Sequence, residues 1–120
     1  MFELVEILRK LDSQEIEKDI VVKCDNQEFG IGGFYIMDET FYIEMVEKNQ
    51  GLNSDRFLFT IECEAENEEC WQDDIYRSAM ERIADCDAML INKNDLENDR
   101  FENSLKFKIE EKEDCLILEV

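Results

Sequence analysis

Carboxylate side chains outnumber basic ones by 32 to 13 in this chain, so its folded state must hold a formal charge of −19. Crowding that charge into a compact body costs stability through self-repulsion. Solubility of a small domain requires a net charge of only about 2 to 8. The excess predicts that the charge itself serves a function. It also disfavours binding to DNA, RNA or anionic membranes, because those surfaces repel an acidic protein.

Apolar residues are nevertheless numerous enough to build a core. They make up 44% of the 120 residues, which is typical of a folded chain and not of a disordered one. This length predicts one domain, 1–120, that needs no metal or disulfide. The start, MFELVEILRKLD, has acids within its apolar run and does not resemble a secretory signal. Together with five irregularly spaced cysteines, it predicts a cytoplasmic protein with reduced thiols, a disulfide between two of them being the alternative.

Apolar spacing predicts the elements of secondary structure. Residues 2–11 have apolar side chains at helical intervals, and Asp38-Glu39 lies between two extended segments that read as a β-hairpin. A second helix is expected after Asn67, which would cap it, with its apolar side chains in the core: Trp71, Ile75, Ala79, Met80 and Ile83. Alternating or β-branched segments predict strands over 19–24, 29–37, 40–47, 57–66, 88–91, 105–110 and 115–120.

The segment FLFTIECEAE, 57–66, shows the clearest alternation. Every second residue from Phe57 to Ala65 is apolar, and from Thr60 onward the residues between them are polar, as in a half-buried strand. The order of helix, strands, helix and strands predicts an α+β fold. We expect a mainly antiparallel sheet with two helices packed on one face.

Three of the four glycines lie in EFGIGGFYIM, 28–37. A phosphate-binding turn would open a helix and carry a nearby base, but Gly30, Gly32 and Gly33 are followed by an extended pattern. No basic residue occurs between Lys23 and Lys48. The glycines therefore predict a bulge or close packing in a strand, and nucleotide binding is rejected.

The sequence offers little to catalysis. It contains no histidine, so a serine or cysteine nucleophile lacks its usual base, and it has no C-x-x-C motif for zinc. Residues 92–102 are rich in oxygen ligands, but they do not match an EF-hand loop. We expect a non-catalytic protein without cofactor or metal site.

A run of acids without any base lies between Arg56 and Arg77. On a strand, alternate carboxylates would stand about 6.6 Å apart, an interval of the same order as that of phosphates along a nucleic-acid strand. A basic groove that tracks a phosphate backbone would accept such a row. The alternative is an ordinary solvated acidic face. The predicted partner-binding residues are Glu62, Glu64, Glu66, Glu68, Glu69, Asp73 and Asp74.

The leading hypothesis is an acidic inhibitor that blocks a basic nucleic-acid-binding surface on a larger protein. Phage anti-restriction and anti-CRISPR proteins of the DNA-mimic kind are the analogy, which rests on size and charge alone. The expected partner is a basic protein, either a nucleic-acid-binding protein or a nuclease. The alternatives are an immunity or antitoxin protein neutralising a basic toxin nuclease, a soluble adaptor, and a carboxylate-dependent metalloenzyme. A homodimer is also possible if the glycine-rich strand lies at a sheet edge.

Overall fold

The computed structural model describes residues 1–66 and 73–120, the latter with side chains from Ala79 onward. Two single-turn 3₁₀ segments, Lys48–Gln50 and Phe101–Asn103, accompany the main elements. The helices and strands are α1 Phe2–Ser13, β1 Asp19–Cys24, β2 Gln27–Met37, β3 Thr40–Glu47, α2 Ser54–Glu66, α3 Asp73–Asp85, β4 Asp87–Asn92, α4 Lys93–Glu97, β5 Lys108–Glu111 and β6 Cys115–Glu119.

The strands form one six-stranded sheet in the order β4-β3-β2-β1-β6-β5. The β1–β2, β2–β3 and β5–β6 pairs are antiparallel, whereas β1–β6 and β3–β4 are parallel. The predicted α+β fold with a mainly antiparallel sheet is therefore confirmed. Both predicted hairpins are present, although β5 begins only at Lys108, and the segment after β4, expected to be a loop, contains α4.

The predicted strand over 57–66 is wrong, because this segment is most of helix α2. The helix buries Phe57, Leu58, Ile61 and Ala65, whose spacing follows a helical face. Phe59, which strand alternation would place in the core, is 67% exposed. The helix begins after Asn53, whose side-chain oxygen accepts a hydrogen bond from the Arg56 N–H at 2.8 Å.

The core lies between the sheet and helices α1, α2 and α3, which contact one another. Its centre is an aromatic cluster in which the ring of Phe41 stacks on Phe34 at 4.5 Å and meets Phe57 edge-on at 6.4 Å. In α3, Ala79, Met80 and Ile83 are buried as predicted. Asn67 and Trp71 lie outside the described residues, as does the side chain of Ile75.

The glycine-rich segment forms a bulge in β2, as predicted, with a register shift between Ile31 and Gly33. Beyond the bulge, residues 51–53 approach β2 and β1: the Leu52 N–H donates to the Ile31 carbonyl at 2.8 Å, and Asn53 forms a bridge with Asp19. Because β2 lies between β1 and β3, the premise for a dimer through this strand is wrong. The sheet edges are β4 and β5.

Candidate partner-binding surface

The first three predicted binding residues, Glu62, Glu64 and Glu66, lie in the second half of α2. Glu62 and Glu66 are four residues apart and share one side of the helix. Glu64 lies about 200° around the axis from Glu62, since each residue turns the helix by roughly 100°. The expected straight row with strand spacing is therefore wrong, because helical geometry divides these carboxylates between two flanks.

The remaining predicted residues extend towards α3. Glu68 and Glu69 lie outside the described residues. Asp73 and Asp74 open α3, where carboxylates interact favourably with the helix dipole, and only their backbone is described. The role of these seven residues in partner binding stays a prediction.

An exposed aromatic side chain stands among the acids of α2. Phe59 lines a shallow hollow of about 390 Å³ together with Leu58, Arg56 and three carboxylates, Asp12, Asp55 and Glu62. Asp12 comes from the end of α1, so two helices contribute to this surface. We call these residues the α2 face. An exposed phenylalanine within a charged surface is the arrangement expected of an interface anchor.

Three lysines pair with acids of strand β5. Lys10 and Lys18 contact the two carboxylate oxygens of Glu111 at 2.8 and 3.5 Å, and Lys112 contacts Glu110 at 2.8 Å. The hydrogen bond from Lys10 lowers the pKa of Glu111 below its ordinary value. In contrast, Glu64 and Glu66 take part in no ion pair among the described residues.

Replacing Glu111 with glutamine is expected to lower the free energy of unfolding by about 0.5–1 kcal/mol at pH 7 and low salt. The folded pKa is depressed, so the stabilisation is present above the unfolded value of about 4.3 and disappears as the pH falls through the folded pKa. Urea unfolding at pH 7 and pH 3 measures the loss of stability and its dependence on pH. Glu113→Gln is the control, because Glu113 is exposed and forms no ion pair within the described ranges. An equal effect of the two substitutions would contradict the assignment.

A second group of carboxylates comes together only in the folded chain. Asp38 and Glu39 form the β2–β3 turn, Asp85 ends α3, and Asp87 begins β4. The Asp87 N–H donates to the Glu39 carbonyl at 3.0 Å. We call these four residues the acidic corner. Burial raises the pKa of the adjacent Cys86 thiol, and the charges of Glu39, Asp85 and Asp87 raise it further against the opposing effect of the terminal amine.

The turn at this corner has an unfavourable backbone for one of its two residues, Glu39. Asp38 and Glu39 have φ values of 50° and 66°, the left-handed conformation of a type I′ turn that favours glycine, asparagine or aspartate. Glu15 has the same conformation, at 58°, where α1 ends in a Schellman motif: the Ile16 N–H donates to the Leu11 carbonyl at 2.9 Å. Among the described residues, the left-handed non-glycine positions are Glu15, Asp25, Asn26, Asp38, Glu39 and Asp99.

Beside the acidic corner lies a hollow of about 400 Å³. Its apolar lining comes from Ile36, Ala79 and Ile83, of which the last two are buried core residues. Its polar lining comes from Glu39, Asp85, Arg82 and Cys86. Sequence reasoning missed this site because its residues come from β2, the following turn and α3. The only signal was that Asp38 and Glu39 belong to a segment without bases, between Lys23 and Lys48.

Comparison with protein-family models, with curated proteins and with solved structures finds no match to this chain. None of the helices in the described residues has the length and apolar character needed to cross a bilayer. Among the described side chains, those of residues 1–66 and 79–120, no three potential ligands among cysteine, aspartate and glutamate come together as a metal site. The described cysteines, Cys24, Cys63, Cys86 and Cys115, are free thiols.

Proposed function

We propose that this protein is a non-catalytic acidic inhibitor that occupies a basic, nucleic-acid-binding surface on another protein. The observation that carries the proposal is the placement of carboxylates at left-handed backbone positions, including two glutamates where glycine would be more stable. Five of the six described left-handed non-glycine residues are acids, and none of the four glycines has a positive φ. Aspartate tolerates this conformation, but for Glu15 and Glu39 it costs of order 1 kcal/mol.

A chain that needed only solubility would gain nothing from acids at such positions. The charge already exceeds what solubility requires, and each further carboxylate adds self-repulsion. Acids kept at a cost in stability are expected where they serve binding. The strained glutamates therefore favour a functional use of the charge over the soluble-adaptor alternative, whatever the spacing of the carboxylates on α2.

The α2 face is the surface that we assign to the partner. Phe59 supplies an exposed apolar anchor, and the carboxylates around it attract a basic protein and direct its approach. The proposed setting is the cytoplasm, in keeping with the free thiols of the described cysteines. An immunity or antitoxin protein that neutralises a basic toxin nuclease would use the same electrostatics and remains the alternative.

The experiment is capture of partners from a host lysate on the immobilised protein at about 50 mM and 500 mM salt, followed by elution with duplex DNA. Screening shortens the range of ionic attraction, so capture is expected at low salt only. The eluted partner should lose its nucleic-acid binding when this protein is added back. A captured toxin nuclease encoded beside this gene would favour the immunity alternative.

A matched pair of variants tests the α2 acids. Substituting Glu62, Glu64 and Glu66 with glutamine is expected to weaken capture about tenfold or more, since charge pairs across an interface contribute strongly to binding. The control removes three charges from the turn before β6 and from its last residue: Glu113→Gln, Asp114→Asn and Glu119→Gln. Equal losses in both variants would show that only net charge matters, and unchanged capture by the first variant would contradict a role of these three acids in binding.

A further inference from the structure

We propose that the hollow beside the acidic corner docks an arginine side chain of a basic partner protein. The identity of that partner rests on the function proposed above, whereas the chemistry of the hollow can be tested by itself. The site differs from the α2 face, because the two share no lining residue and this one lies beside the second half of α3, next to the β2–β3 turn.

The lining of the hollow matches a long amphipathic cation. Ile36, Ala79 and Ile83 provide an apolar wall against which an aliphatic stem can pack. Glu39 and Asp85 line the same hollow, so a cationic head beyond that stem would meet carboxylates. Neither Glu39 nor Asp85 forms an ion pair among the described residues.

The electrostatics of the hollow favour a cation despite two nearby positive charges. Arg82 lines the hollow and has an interaction of its own, and the terminal ammonium donates to the Cys86 carbonyl at 2.8 Å, so both offset part of the local field. Four carboxylates of the acidic corner outnumber these two charges, since Asp38 and Asp87 adjoin Glu39 in the turn and at the start of β4. A neutral or acidic side chain would leave this excess of negative charge unbalanced.

Arginine fits the hollow better than lysine. Its guanidinium is less strongly hydrated than an ammonium, so it loses less on entering a partly apolar site. It also presents several N–H groups in a plane, which lets one head bond two carboxylates, and such charged hydrogen bonds are the strong ones. The hollow is therefore expected to bind a segment that carries arginine more tightly than one that carries lysine.

The test is an NMR titration of the ¹⁵N-labelled protein with the peptide acetyl-(Gly-Arg)₃-amide at low salt, and with its lysine counterpart. The expected result is saturable amide shifts at Ala79, Ile83 and Cys86, with the arginine peptide binding several-fold more tightly. Asp85→Asn and Glu39→Gly should each weaken arginine binding about three- to tenfold, as expected for loss of one charged hydrogen bond.

Glu15→Gly is the matched control for Glu39→Gly. Both substitutions place glycine at a left-handed position and remove one carboxylate, so both should raise Tm by a few degrees. Only Glu39→Gly should weaken the peptide. Shifts spread over all acidic surfaces, equal binding of the two peptides, or equal effects of the two glycine variants would overturn the proposal.

The outcome also separates this inference from the proposed function. If the hollow binds no arginine while the α2 variants still lose partner capture, only the hollow assignment fails. If the hollow selects arginine but no DNA-eluted partner is captured, the inhibitor function fails and the hollow stands.

Discussion

Truncating Phe57 to alanine is expected to lower the free energy of unfolding by about 3–5 kcal/mol. Its ring is fully buried and meets Phe34 and Phe41 with centroid distances of 6.5 and 6.4 Å. Removing it deletes the contact of α2 with the aromatic cluster and leaves a cavity that the surrounding strands cannot close. Urea or thermal unfolding of the purified variant measures the loss.

Phe59→Ala is the control, and it also tests whether 57–66 is a helix. Phe59 is 67% exposed on α2, so its truncation is expected to change stability by less than about 0.5 kcal/mol. On a strand, both rings would face the core and both truncations would be severe. Comparable losses for the two variants would therefore contradict the helical assignment.

Replacing Gly30 with alanine is expected to cost about 2–3 kcal/mol, in the upper part of the range for overpacking. A Cβ atom at this position would lie 2.7 Å from the Cα of Gly51 and 3.2 Å from the Glu47 carbonyl oxygen. These neighbours are backbone atoms, so a side-chain rotation cannot relieve the clash. Residues 51–53 would have to move away from the bulge of β2, which would strain the Leu52–Ile31 hydrogen bond.

Gly33→Ala is the corresponding control, because a Cβ atom at Gly33 has nothing within 4 Å. Its φ is not positive, so alanine adopts the backbone without strain. The substitution is expected to be neutral or to stabilise by about 0.4–1 kcal/mol through the unfolded chain. Circular dichroism and denaturant unfolding compare the two variants. A destabilised Gly33→Ala together with a neutral Gly30→Ala would contradict the packing described for this bulge.

Most elements could be predicted from local patterns. The first helix and the hairpin at Asp38-Glu39 were recognisable because each buries one face with a single clear periodicity. Helix α2 was not recognisable, because its apolar positions fit both the helical period and the strand period. Phe57, Ile61 and Ala65 satisfy strand alternation and helical spacing alike, and only the burial of Leu58 against the exposure of Phe59 distinguishes the two. The Asn53 cap was the overlooked local signal.

The candidate sites were predictable only in part. The acids of α2 were apparent as a run without bases. Their arrangement was not, because it depends on whether 57–66 is a strand, as predicted, or a helix. The acidic corner and its hollow had no local signature beyond the segment without bases around Asp38 and Glu39, since Glu39 meets Asp85 and Asp87 only when β4 pairs with β3. A sequence pattern records neighbours along the chain, and this hollow is built from two segments at least forty positions apart.

The amino-acid sequence alone determined the acidity of this protein, its α+β fold class and the bulge in its glycine-rich strand, because composition and short-range periodicity govern these properties. Tertiary structure decided that 57–66 is helical, which carboxylates share a surface and where the apolar hollow lies. Those features depend on the burial of one residue against another from a distant segment, and on backbone strain at Glu15 and Glu39 that the fold imposes. Local propensity describes neither this long-range burial nor this strain.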